Sequence, residues 1–375
     1  MGNDRARLRV GLIGAGLVGQ AAHAHFLWDE RELFDLVALA DPSAAVRAAV
    51  GGRYGIPELH AGLDDLLPLG LDAVVIAVPD AFHADVACGA LEEGLHVLCE
   101  KPLALSIEEC DRIAAARDAS GRVLQVGTMK RFDPAYLRLL DLLPERAADV
   151  RYLSVEVRDP DQVPFVGHMP MTAASDLAPE LGAELRARMA RRIAEAAGGE
   201  PPPGGARAFE AYLSSLVHDV SLLQGVLERL GEPWWERAVD GAFWDDGRAV
   251  SLSAMLPGGG RAHLVHHNLP EVNDYSERLT VHCRDRVLEL TFPSPYLRHL
   301  PTRLVEHRSA GPTGLRSTSH HISYEEAFRE ELRAFAEACA GRARVVTPVE
   351  AGRADVALLL DAYRHAIGRS GTSAP

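Results

Sequence analysis

With 375 residues the chain is long enough for two ordinary domains, each able to bury its own core. Hydrophobic residues make up 47% and charged residues 25%, a globular balance rather than a disordered one. The 53 acidic and 39 basic side chains leave a formal charge of −14, which repels phosphate backbones and anionic lipid, so neither nucleic acid nor a membrane surface is an expected partner.

Leu8 to Ile13 is a short apolar strand that runs straight into Gly14-Ala15-Gly16-Leu17-Val18-Gly19 and a helix from Leu17 to Trp28. A second strand, Phe34 to Ala40, ends at Asp41, and Pro42 fits the first turn of the helix that follows. Ala73 to Val78 is a near-continuous apolar run, as expected of a central parallel strand buried on both faces. Helix (Ala81–Glu93), strand (His96–Cys99), helix (Ser106–Ala119) and strand (Val123–Gly127) continue the alternation of a doubly wound parallel sheet.

Beyond about Asp149 the pattern changes. Val150 to Arg158 reads as a strand. Residues 159–208 are rich in Pro, Ala and Gly, with one possible helix at Glu180–Ala197, and read as an insertion or lid. A long helix covers Phe209 to Leu230, and strands separated by turns run from Ala238 to Thr291. Helices return at Tyr324–Ala340 and Val349–Ile367. The expected architecture is α/β. Residues 1–130 form a Rossmann domain, and 131–350 form an α+β domain with an open-faced, largely antiparallel or mixed sheet. Residues 351–375 form a C-terminal helix packed back on the Rossmann domain.

No run approaches the ~18–20 apolar residues that span a bilayer, and the polar stretch Met1–Arg9 contains no signal core, so a cytoplasmic protein is expected. The five cysteines are scattered without a C-x-x-C pair and read as reduced thiols. The adjacent pairs His266-His267 and His320-His321 point their side chains in different directions, so no metal site is expected.

The glycine pattern carries the chemistry. Gly14 permits the tight strand-to-helix turn, Gly16 admits a pyrophosphate to the backbone, and Gly19 lets helix and strand pack closely. The pattern follows a strand, opens a helix and has an acid, Asp41, closing the next strand, the context of a dinucleotide site. Asp41 can accept both hydroxyls of an adenosine ribose and repels a 2′-phosphate. Neither Pro42 nor Ser43 offers a compensating cation, so NAD is expected over NADP. A capping role for Asp41 is compatible with this reading.

Val78-Pro79-Asp-Ala-Phe-His83, Ala90-Leu-Glu-Glu-Gly94 and above all Glu100-Lys101-Pro102 resemble the glucose-fructose oxidoreductase/inositol dehydrogenase family (Gfo/Idh/MocA). Gln125 to Pro134 matches in style, as does the helix after Thr347-Pro-Val-Glu350. The resemblance covers residues 8–140 well and 209–368 loosely, leaving 159–208 unmatched. It implies that Ala15, Leu17, Val18, Val78, Pro79, His83 and Glu100 help hold the cofactor. It also implies that Lys101 sits beside the nicotinamide and stabilises a developing alkoxide. An assembly of two or four copies through the C-terminal sheet is implied as well.

The family's Asp-x-x-x-His pair corresponds to Ser214-Ser-Leu-Val-His218, so the histidine is present and the aspartate is not. At ~100° per residue, Leu213, Leu216, Val217, Val220 and Leu227 form an apolar stripe. Ser214, His218, Ser221 and Gly225 form a second, small or polar one. Asp219 falls on a third face and cannot reach its neighbour's imidazole. Asp159, Asp161 and Glu180 are alternative carboxylates for His218, which reads either as the proton-transfer residue or as a packed or substrate-binding one. Arg131 reads as a contact to substrate or cofactor or as a surface salt bridge, and Tyr296 of Ser294-Pro-Tyr-Leu-Arg298 as a substrate contact or part of a turn. Trp234, Trp235 and Trp244 read as packing residues. The reaction expected is NAD-dependent hydride transfer with a secondary alcohol or ketone of a sugar, cyclitol or similar compound. A non-catalytic ligand sensor on the same fold and an imine or non-sugar carbonyl reductase are the alternatives.

Overall fold

The computed structural model describes residues 7–232 and 239–370. Trp234 and Trp235 lie outside the described residues. The chain divides into two compact units that are discontinuous in sequence. The first comprises the chain up to Thr128 together with Val166–Met189 and Phe328–Arg353. The second comprises Met129–Phe165, Ala190–Ala327 and the chain from Ala354 onward.

In the first unit, strands β1 (Leu8–Ile13), β2 (Phe34–Ala40), β3 (Glu58–His60), β4 (Ala73–Ile76), β5 (His96–Glu100) and β6 (Leu124–Gly127) form one sheet in the order β3-β2-β1-β4-β5-β6. Every pairing is parallel. The order reverses between β1 and β4, the switch point beyond whose strand ends such sheets open a crevice. Val10 and Leu12 of β1 and all of Ala73–Ile76 are fully buried, which explains their unbroken apolar character. Residues of Phe328–Arg353 brace β6: Thr347 Oγ1 donates to the Val126 carbonyl at 2.7 Å, and the Val126 amide returns to Thr347 O at 2.8 Å.

The second unit carries an eight-stranded mixed sheet. Its strands are β7 (Val150–Asp159), β8 (Asp240–Trp244), β9 (Ala249–Met255), β10 (Arg261–Asn268), β11 (Ser276–Cys283), β12 (Arg286–Phe292), β13 (Arg303–Ser309) and β14 (Leu315–His320), in the order β14-β13-β12-β11-β7-β10-β9-β8. Only β7 and β10 pair parallel. One face is buried, as Ala262, Leu264 and His266 alternate along β10 with more exposed neighbours. The sheet thus extends two strands past the sequence-based limit at Thr291. Trp244, at the end of β8, is 44% exposed rather than packed.

One helix differs from expectation. The long helix after Gly205 is interrupted by a π-helical turn at Ala211–Leu216 before Val217–Arg229 resumes α geometry, so its faces do not follow a uniform 100° step. The C-terminal helix Val349–Ser370 joins the first unit only through its opening turn, where Arg353 pairs with Asp111 at 2.6 Å. From Ala354 onward the helix groups with the second unit, where Tyr363 stands edge-on to Phe209.

The first and last glycines of the turn leave no room for a side chain. Gly14 has φ +90°, and a Cβ there would stand 2.5 Å from the Ala77 carbonyl oxygen. A Cβ on Gly19 would collide with the carbonyl oxygen of Gly14. Gly19→Ala is therefore expected to destabilise the protein by about 1–3 kcal/mol through overpacking, read as a lower urea midpoint with unchanged slope.

Candidate active site

Beyond the C-terminal ends of β1, β2, β4 and β5 lies a cavity of about 610 Å³ in the first unit. Gly14, Gly16, Leu17 and Val18 form its floor at the glycine turn, and no atom stands within 4 Å of where a Gly16 Cβ would be. That bare backbone is the approach a pyrophosphate needs. Asp41 lines the cavity from the end of β2. Its Oδ2 accepts the Ala15 amide at 2.8 Å and its Oδ1 the Ser43 amide at 2.9 Å, leaving each oxygen a lone pair for a ribose hydroxyl. The helix cap here is Ser43, whose Oγ accepts the Val46 amide at 3.1 Å, so Asp41 is not the capping residue. Ala15 and Gly19 hold the turn itself, through the bond to Asp41 and the contact with Gly14.

The opposite wall comes from the loops after β4 and β5. Val78, Pro79, His83, Glu100 and Lys101 all line the cavity. The His83 ring is fully buried, with Nδ1 2.7 Å from the Pro102 carbonyl and Nε2 3.0 Å from that of Val78, so it braces the two loops. Glu100 is buried, and its Oε1 lies 2.7 Å from His23 Nε2, while its Oε2 accepts the Lys101 amide at 3.2 Å. Burial opposes the charge of Glu100. The hydrogen bond and positive field of His23, with help from Lys101, outweigh it and hold the carboxyl below its usual range. Glu100 is thereby fixed as an anion next to Lys101. Sequence reasoning missed His23, which stands in a π-helical turn, Gly19–His23, that no spacing rule marks. It also missed Arg47, whose Nη1 reaches the Asp41 carbonyl at 2.5 Å.

In the second unit, Ser214 and His218 are half-buried, as a pocket-lining pair on the small stripe would be. Further along that stripe Ser221 and Gly225 are buried instead, against Arg131 and Tyr136. The Arg131 guanidinium is interior, donating to Ser221 O at 3.1 Å and pairing with Glu228 at 2.5 Å. The stripe's small residues make room for that side chain. Tyr296 is half-buried in a turn closed by the Leu297 amide on Ser294 O at 3.0 Å. Asp159 lies 3.6 Å from His266 and accepts Gln162 at 2.6 Å, while Asp161 accepts the Val163 amide at 2.9 Å. Glu180 is exposed in the first turn of the helix Pro179–Ala197 and groups with the first unit.

Asp219 is buried beside Glu277, whose carboxylate also binds Lys130 Nζ at 2.6 Å and the Tyr275 hydroxyl. Burial, then the negative charge of Glu277, push the Asp219 carboxyl well up. The protonated acid can donate to Glu277.

Residues 8–128 match the model of the Gfo/Idh/MocA family, described as an oxidoreductase family with an NAD-binding Rossmann fold. Inositol 2-dehydrogenase 3 of Saccharopolyspora erythraea is 34% identical over 167 residues, 44% of this chain and 49% of that protein. The chain thus spans about half the length of that curated relative. Over nearly full length the fold resembles UDP-N-acetylglucosamine 3-dehydrogenase of Acidithiobacillus ferrooxidans, with TM-score 0.71, 21% identity and coverage of 97% of this chain and 99% of that one. It also resembles myo-inositol 2-dehydrogenase of Lactobacillus plantarum, with TM-score 0.69, 17% identity and coverage of 96% and 97%.

The buried Asp219 gives a pH signature. Its folded pKa is raised, so its contribution to stability is complete below the unfolded value near 3.8 and is lost as pH rises toward the folded value. Asp219→Asn keeps a donor toward Glu277 without that loss. The variant is expected to gain melting temperature relative to the parent as pH rises from 5 to 8, by calorimetry. Each pH unit in the window is worth up to about 1.4 kcal/mol.

Proposed function

We propose that the protein is an NAD-dependent oxidoreductase acting on a secondary alcohol or ketone of a sugar, cyclitol or related polyol. The observation that carries this reading is the single cavity that joins the open glycine turn, Asp41 and the Glu100–Lys101 pair. Its parts fit a dinucleotide at both ends, with amides and a helix start for the pyrophosphate and a ribose acceptor in Asp41. When bound, nicotinamide supplies the hydride acceptor or donor. Lys101, held beside the anionic Glu100, polarises the reacting oxygen and stabilises alkoxide character. His218 is the residue proposed to carry the proton, as the family resemblance implies. Inositol dehydrogenases among the similar proteins favour a cyclitol or sugar substrate. No described helix is long and apolar enough to cross a membrane, and a cytoplasmic homo-oligomer built through the eight-stranded sheet completes the reading.

A ligand sensor is the second reading, and Ser214 in place of the family's aspartate is what favours it. A panel of cyclitols, sugars and nucleotide-sugars followed at the NADH absorbance separates the two, since a sensor binds without turnover.

On a substrate found this way, Lys101→Ala is expected to cut turnover by orders of magnitude while NAD affinity stays within a few-fold. Near-normal turnover removes Lys101 from the mechanism. His218→Asn is expected to lower turnover strongly, whereas Asp219→Asn changes it little. In calorimetry NAD(H) is expected to bind more tightly than NADP(H), and Asp41→Ala to narrow the gap.

A further inference from the structure

The stretch Val166–Met189 has no counterpart in the family motifs, yet it belongs to the first unit and closes one side of its cavity. Ala174, Leu177, Leu181 and Leu185 form an apolar wall there. The arm is tied down along its length. The Gln20 side chain donates to Thr172 O and accepts from Thr172 N, both at 2.9 Å. Arg53 donates to Pro170 O. Arg188 pairs with Asp85 at 2.6 Å and stacks over Phe82 at 4.6 Å.

Between these tethers the arm delivers a carboxylate to the start of the helix Ala44–Tyr54. Asp176 Oδ1 accepts the Ser43 hydroxyl and Oδ2 the Ala45 amide at 3.0 Å. The Ser43 hydroxyl, then the Ala45 amide, hold the Asp176 carboxyl below its usual range. Ser43 is two residues beyond Asp41, and its amide is bound to Asp41. A phosphoryl group on the ribose 2′-oxygen held by Asp41 would point at these same donors, the natural anion site of a helix N-terminus.

We propose that Asp176 is a cofactor-specificity residue, filling with its own carboxylate the place a 2′-phosphate would take and so reserving the cavity for NAD. The inference rests on the NAD reading above and extends it. Asp41 rejects the phosphate from one side, and Asp176 removes the hydroxyl and amide that would have welcomed it. Without the Asp176 charge, the helix start and Arg47 remain, and together they suit a phosphate.

The test is calorimetric titration of the full-length protein and of Asp176→Asn with NAD+ and NADP+. The asparagine keeps an oxygen for the Ser43 hydroxyl and removes the charge. The expected result is NADP+ bound about tenfold more tightly by the variant, with NAD+ affinity within threefold. An equal change for both cofactors, or none for NADP+, overturns the inference while leaving the NAD reading standing. A parent protein that binds NADP+ more tightly than NAD+ overturns that reading and the inference with it. Asp176→Ala serves as the second variant, and melting temperatures of both report whether the exposed site leaves the fold intact. Alanine also frees the Ser43 hydroxyl and the Ala45 amide, so in a folded Asp176→Ala protein an unchanged NADP+ affinity likewise overturns the inference.

Discussion

The bond from the Ala15 amide to Asp41 Oδ2, 2.8 Å long, ties the glycine turn to the end of the neighbouring strand, and the first unit's site is arranged around it. Asp41 is held by two backbone amides rather than by a side chain, so its position follows from the paths of β1 and β2. Those paths are rigid because Gly14 and Gly19 let the turn close upon itself. A carboxylate that accepts two amides has a lone pair left on each oxygen, and in the NAD reading proposed above these take the ribose hydroxyls. In that reading, cofactor choice follows from backbone geometry before any ligand enters.

The buried acids of this chain divide by what stands opposite them. Glu100 faces His23 and Lys101 and is held below its usual range, so it remains an anion beside the proposed reacting centre. Glu331 and Asp219 face other carboxylates, Glu100 and Glu277 respectively, after burial has already raised them. Each such pair keeps one charge and lets the other acid take a proton, as two anions cannot both stay desolvated at close range. The division matters for the proposed function, which places Lys101 next to the member that stays charged. The same logic in the second unit leaves Lys130 and Glu277 as the ion pair and Asp219 as a neutral donor.

Much of this was legible from residues alone where local chemistry dictates geometry. The glycine turn, the acid after β2 and the Glu100-Lys101 step stand at strand ends, so a strand assignment places them at once. β14 was missed because Leu315 to His320 is solvent-exposed nearly throughout, so no face imposes alternation on it. β3 is only three residues long. The π-helical turns at Gly19–His23 and Ala211–Leu216 arise from packing, and no residue pattern announces them. For the same reason the small stripe misled beyond His218. Ser221 and Gly225 are small to admit Arg131, which lies some ninety positions earlier in the chain (|i−j| = 90).

The arm from Val166 to Met189 leaves little mark in the sequence. Its polar anchors are single side chains meeting partners more than a hundred positions away, so neither composition nor periodicity marks them. A Rossmann sheet leaves the crevice at its strand ends open by construction, and later segments of the chain can roof it without disturbing a strand. The glycine turn is the part that fits a dinucleotide, while the segment laid across it is the part proposed to select which one. Because the two come from separate parts of the sequence, cofactor preference can change through the arm while the fold and the pyrophosphate cradle stay as they are.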